Sequence, residues 1–142
     1  MRVVIDTNVF VSSFFGGTPR EVIACWMRGE ITLCVSRDLV DEYIEVLDRL
    51  GLQPALVKEL LELLASSHHL VFVDAPAPVR VMANDADDNM LFACTAALKA
   101  KWIVTGDKAV RRVGRNMDIE VTTPAEFLAH VRAPKRRQDP QG

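Results

Sequence analysis

The sequence predicts an α/β fold: a three-layer αβα sandwich around a central parallel five-stranded sheet. Three observations predict it. Short apolar runs rich in Val, Ile and Leu recur along the chain without the alternation of a half-exposed strand, so they read as strands buried on both faces. Segments with apolar residues at helical spacing lie between them. Strand–helix repetition with right-handed crossovers then places helices on both sides of one sheet. The 142 residues, 49% of them hydrophobic, suit one compact domain over residues 1–132 and leave no room for a second.

The first strand is Val3-Val4-Ile5, running straight into Asp6, Thr7 and Asn8. Val9 to Phe15 is apolar and reads as a short helix or turn. Gly16-Gly17-Thr18-Pro19 breaks the chain, and Thr18 is expected to cap a helix that has Pro19 at its first position, runs to about Arg28 and ends at Gly29. Ile31 to Val35 is the second strand. Ser36 caps the next helix, whose stripe is Leu39, Tyr43, Val46, Leu47 and Leu50 and which Gly51 stops. Pro54 begins a Leu-rich helix carrying Leu56, Val57, Leu60, Leu61 and Leu64. Leu70 to Val73 is the third strand, and Ala75 to Pro78 is a proline-broken connector.

Asn84 to Asn89 opens a helix lasting to about Lys101; acids in its first turn suit the unpaired N–H groups and the dipole. Trp102 to Thr105 is the fourth strand, followed by Gly106-Asp107 and a short basic helix through Arg112. Ile119 to Val121 is the fifth strand. Thr123-Pro124 starts the last helix, which ends near Val131. Residues 133–142 are expected to form a disordered basic tail.

Composition excludes several classes. A net charge of −2 rules out a generic polyanion-binding surface, so any nucleic-acid site must be a local basic patch. No apolar run approaches the roughly 18 residues of a membrane span. The N-terminus enters a strand at once, without a signal-peptide pattern, so a cytoplasmic protein without membrane partners is expected. Cys25, Cys34 and Cys94 are widely spaced among apolar residues and read as small buried hydrophobes in a reducing compartment.

Four acids are placed alike. Asp6 follows the first strand, Glu42 borders the buried stripe of the helix after the second, Asp88 sits in the first turn of the helix before the fourth, and Asp107 follows the fourth. Singly, each has a structural explanation as a turn, cap, solvated or dipole-pairing residue. Together they belong to one rim. If the sheet is doubly wound with the first strand central, Asp6 and Asp107 face each other across the switch point, where such sheets bind ligands. Crowded carboxylates raise one another's pKa, and a divalent cation relieves the repulsion. Oxygen ligands without nearby Cys or His fit Mg²⁺ or Mn²⁺.

Asp6-Thr7-Asn8-Val9-Phe10, then Asp41-Glu42-Tyr43, then Asp87-Asp88-Asn89 leading a helix with Ala93 and Ala96, then Val104-Thr105-Gly106-Asp107, resemble the PIN-domain ribonucleases. More narrowly, the chain is similar to prokaryotic PIN proteins assigned to the toxin half of toxin–antitoxin pairs. The resemblance runs from Arg2 to about Leu128. It implies a PIN-like, RNase H-like fold in which four acids bind one or two Mg²⁺ or Mn²⁺ ions and single-stranded RNA is hydrolysed. Asp6 matches the first acid, Glu42 the second, Asp88 the third and Asp107 the fourth; Asn8 and Thr105 match the polar residues beside the first and fourth. Asp85 and Asp87 lie close to the third position, and Asp88 is preferred because Asn89 and the apolar helix follow it.

The implied roles are these. Asp6, Asp88 and Asp107 hold a metal, Glu42 orients or deprotonates the attacking water or ligates a second ion, and Asn8 and Thr105 fix the carboxylates. The implied partners are RNA and a protein antitoxin, although no companion antitoxin segment is evident in the chain.

Lys108, Arg111, Arg112 and Arg115 form a basic cluster after Asp107, read either as a solvated face or as RNA phosphate contacts, with Arg20 as a weaker candidate. Lys135-Arg136-Arg137 would add salt-sensitive attraction or simply solvate the terminus. His68, His69 and His130 lie at element ends and suit capping or surface roles, and Trp26 and Trp102 suit the core. The excess leucines of the Pro54 helix, with Leu63 off its main stripe, allow a homodimer or antitoxin interface. Two competing readings are a non-catalytic RNA- or protein-binding module and a phosphohydrolase with Asp6 as nucleophile. Against the latter, Asn8 stands where a phosphatase would carry its second acid.

Overall fold

The structure, a computed structural model, describes residues 1–80 and 86–133. The element order is β1 (Arg2–Ile5), α1 (Thr7–Ser12), a 3-10 turn (Ser13–Phe15), α2 (Gly17–Met27), β2 (Thr32–Ser36), α3 (Arg37–Arg49), α4 (Pro54–Ser66), β3 (Leu70–Val73), α5 (Ala86–Ala97), β4 (Trp102–Val104), α6 (Lys108–Gly114), β5 (Glu120–Thr122) and α7 (Pro124–Arg132). All five strands are parallel, in the order β3-β2-β1-β4-β5. Chain direction along the sheet therefore reverses between β1 and β4, where Ile5 pairs with Val104. This is the α/β sandwich that the strand and helix pattern predicts.

The central strands are dry. Val3, Val4, Ile5, Leu33, Cys34, Ile103 and Val104 are fully buried. Helix α5 packs across β1, β2 and β4, and α7 packs against β5 and α2. The edge strand β3 is half-exposed, with Phe72 at 49%, because it has a neighbour on one side only. Trp26, also buried, donates its indole N–H to the His69 carbonyl at 3.0 Å and ties α2 to the start of β3. The three cysteines are buried and free, and burial pushes the thiols of Cys34 and Cys94 up to about 11 and about 12.

Several boundaries differ from the sequence reading. Helix α1 begins at Thr7, immediately after Asp6, and not at Val9. Thr18 is not a cap: α2 starts at Gly17, with Gly16 as its N-cap, both at positive φ. Helix α5 stops at Ala97, short of Lys101. Lys99 takes φ 55°, and its N–H and that of Ala100 return to the Ala96 and Thr95 carbonyls at 3.3 and 3.0 Å. That is the same left-handed termination that Gly29 and Gly51 give α2 and α3, here made by a residue with a side chain. In α4 the exposed leucines are Leu56 and Leu61, at 40% and 41%, whereas Leu63 packs on the core. Helix α4 packs chiefly on α3. Asn84, Asp85 and the basic tail from residue 134 lie outside the described residues.

Candidate active site

Parallel pairing of Ile5 with Val104 brings the next residues, Asp6 and Thr105, side by side at the carboxyl edge of the sheet. The Asp6 N–H closes the ladder onto the Val104 carbonyl at 3.0 Å, and the Thr105 hydroxyl donates to Asp6 Oδ2 at 2.5 Å. The same hydroxyl accepts from the Asp107 N–H at 3.0 Å. Thr105 is 2% exposed, so this buried hydroxyl links the two strand-end acids. Asp107 is exposed and uses Oδ1 to cap α6 through the Ala109 N–H at 2.8 Å.

Burial raises the Asp6 pKa above its ordinary value, and Asp107 adds to the rise. The Thr105 hydroxyl opposes it, and the backbone amides of Thr7 and Asn8 act in the same direction, although no side-chain capping bond closes at the start of α1. A partly desolvated acid facing a second acid holds its charge at a cost that a cation would relieve.

Glu42 is half-buried on α3. Its Oε1 accepts from the buried Thr7 hydroxyl. The next residue, Tyr43, fixes the helix: its hydroxyl donates to the Ile5 carbonyl at 2.5 Å, and its ring stacks on Phe10 at 4.1 Å with planes 6° apart. Glu42 is thus anchored beside the end of β1. Burial raises its pKa; Asp87 adds charge and a carboxyl–carboxyl hydrogen bond, and Asp6 adds charge. With Asp38, Asp41 and Glu45, Glu42 and Asp87 line a concavity of about 410 Å³. Asp88, the third sequence-predicted acid, is buried at 7% in the first turn of α5, which packs on β1, β2 and β4.

Three of the four expected acids are therefore linked in a line. Asp6 and Asp107 meet through Thr105, and Glu42 joins them through Thr7 and through the charge of Asp6 acting on it. Among the described residues, no three His, Cys, Asp or Glu side chains are arranged to hold an ion together. The donor chemistry does fit a hard cation: carboxylate and hydroxyl oxygens, with the Asp6 and Glu42 pKa values raised by burial and by neighbouring acids. Mg²⁺ in particular keeps several waters and takes one or two carboxylates plus substrate phosphates.

Sequence reasoning missed two residues, Thr7 and Asp87. Thr7 is the hydroxyl that binds Glu42, but nothing local to Asp6-Thr7-Asn8 says which polar residue turns inward. Asn8, expected to brace Asp6 with its side chain, is exposed and contributes its backbone amide. Asp87 is the acid that touches Glu42; the signal for it was the paired Asp87-Asp88, one residue facing each way off α5. Among the basic candidates, Arg111 pairs with Glu126, and Arg20 donates to the Ser13 and Phe14 carbonyls at 3.2 Å each. His69 packs against Gly29, where an added Cβ would lie 2.6 Å from Nε2, and His130 rests on Trp102, ring centroids 4.5 Å apart.

Among the described residues, no helix is long and apolar enough to cross a membrane. A family model described as PIN domain matches residues 2–109 of the chain. No curated protein matches it.

Proposed function

The chain belongs to the PIN-domain family, whose members are in general nucleases that use divalent metal ions, and on that premise we propose that it is a metal-dependent endoribonuclease that hydrolyses single-stranded RNA. The observation that carries the proposal is the junction of Asp6 and Asp107 through the buried Thr105 hydroxyl at the β1–β4 switch point.

In this reading Asp6, Asp88 and Asp107 hold Mg²⁺ or Mn²⁺, one or two ions, with Glu42 as a further ligand or as the base. When bound, the metal polarises the scissile phosphate and acidifies water. The chain's own residues do the rest. Thr105 fixes the rotamer of Asp6, and Thr7 fixes that of Glu42. Glu42, with its pKa raised by burial and by Asp87, lies closer to the range useful for taking a proton from the attacking water. Burial, with the charge of a neighbouring acid, weakens the hold of Asp6 and Glu42 on their charges in the free protein, so these two are poised for a cation.

The toxin role, a protein antitoxin and a homodimer belong to the same reading and rest on the resemblance. Their structural support is an apolar groove of about 440 Å³ between α2 and α4, beside the exposed Met27 and Leu56. The expected compartment is the cytoplasm. A second reading, a non-catalytic PIN-fold RNA- or protein-binding module, draws on the absence of three converged ligands among the described residues. One experiment separates the two. Purified protein is incubated with a single-stranded RNA ladder and Mg²⁺ or Mn²⁺, alongside Asp6→Asn. Cleavage that needs metal and disappears in Asp6→Asn, with an unchanged circular dichroism spectrum, supports the nuclease. Equal cleavage by Asp6→Asn removes Asp6 from the mechanism, and no cleavage by the parent protein favours the binding module.

A further inference from the structure

Among the described residues, six cations are met by acids, and three that are not lie together on α6. Arg28, Arg37, Arg49, Lys101, Arg111 and Arg132 each sit in an ion pair. Lys108, Arg112 and Arg115 form no ion pair, and all three are exposed. Their spacing of i, i+4 and i+7 puts them on one stripe of α6 and its C-cap. That helix begins directly after Asp107, and with Arg111 the three line a concavity of about 240 Å³.

Arg111 behaves differently from its neighbours. Its guanidinium donates to Glu126 Oε1, the same oxygen that accepts the Thr123 N–H at 2.9 Å in the cap of α7. It is drawn toward α7 and its charge is met there. The opposite flank of the candidate site is acidic: Asp38, Asp41, Glu42, Glu45 and Asp87 share one concavity, and its single cation, Arg49, is paired with Glu45. The near-zero net charge of the chain thus conceals a basic stripe on α6, which follows β4, and an acidic concavity at α3 and the start of α5, with α3 following β2 on the other side of β1.

We infer that a single-stranded RNA held at the acid centre leaves it across α6, its phosphates meeting Lys108, Arg112 and Arg115, and does not extend over the α3–α5 flank. This footprint rests on the nuclease reading above and adds a direction to it. Phosphate neutralisation by unpaired cations releases counterions, which drives backbone binding. A cluster of carboxylates within a Debye length of about 8 Å repels the same backbone. Arg111 stays outside the footprint because Glu126 already satisfies it.

The test is the salt dependence of binding of a labelled 12-nucleotide oligouridylate, measured by anisotropy with EDTA present so that the strand stays intact. Lys108→Ala, Arg112→Ala and Arg115→Ala should each flatten the slope of log K against log salt by about 0.7. Arg111→Ala should leave the slope unchanged. Glu126→Gln retains a side-chain acceptor for the α7 cap but removes the ion pair, so it frees Arg111 and should steepen the slope by about the same 0.7. Asp38→Asn should not weaken binding. Slopes indifferent to the three α6 substitutions, in a protein that does bind and cut RNA, would overturn the footprint and leave the nuclease reading standing. A parent protein that neither binds nor cuts RNA would remove both.

Discussion

Replacing Thr105 with valine isolates the bond that joins the two strand ends. Valine matches threonine in shape and removes only the hydroxyl of this buried residue, which donates to Asp6 Oδ2 at 2.5 Å. A hydrogen bond to a charged group contributes about 1.5–3 kcal/mol. The Asp107 N–H also loses its acceptor, but Asp107 is exposed and water replaces it. We therefore expect Thr105→Val to cost about 2 kcal/mol at neutral pH. For a chain of this size that lowers Tm by about 4–8 °C.

The cost should depend on pH, with a defined sign. The Asp6 pKa in the folded protein is raised above the ordinary 3.8, so the native state binds this proton more tightly than the unfolded chain does. Stability from this group is complete below 3.8 and is lost as pH rises through the folded value. Thr105 limits that loss because it favours the charged form. In Thr105→Val the folded pKa rises further, the window reaches to higher pH, and the loss is deeper. The difference between parent and variant should be smallest in acid and reach its full size once Asp6 is ionised in both. Urea unfolding from pH 3.5 to 8, in EDTA, measures it. An Asp6→Ala background should shrink the cost of Thr105→Val. An identical cost at every pH and in both backgrounds would refute the assignment of the hydroxyl to the Asp6 charge.

Two further substitutions probe the frame of the site. Tyr43→Phe removes the hydroxyl from the Ile5 carbonyl while keeping the stack on Phe10; we expect about 1–2 kcal/mol of destabilisation by urea unfolding, and no change would mean that the bond is immaterial. Lys99→Gly relieves a left-handed residue at the end of α5 and should stabilise by about 1 kcal/mol, raising Tm by about 2–4 °C in a calorimeter; a lower Tm would contradict the strain at φ 55°.

The fold was legible because buried parallel strands and amphipathic helices announce themselves by period. Ser36 capping α3 and the glycine stops after α2 and α3 were readable for the same local reasons, and Ser36 does accept the Leu39 N–H at 3.2 Å. The end of α5 was not, because a lysine does there what a glycine usually does. Of the site, the pairing of Asp6 with Thr105 and Asp107 followed from strand order, since a central first strand must lie beside the fourth. The choice among Asp85, Asp87 and Asp88, and the inward turn of Thr7 in place of Asn8, depend on how helices rotate when they pack. That rotation is set by distant contacts such as Tyr43 on Phe10 and Ile5, which no local spacing encodes. Arg111 shows the same limit: its partner Glu126 lies beyond an intervening strand.

The Asp6–Thr105 bond closes over 99 residues of chain. A ribosome adding about 5–20 residues per second needs on the order of 5–20 s to make that span. During that interval the first strand and its aspartate exist without the strand that completes the site. The acid centre therefore cannot form until synthesis has passed Asp107, long after Asp6 has been added.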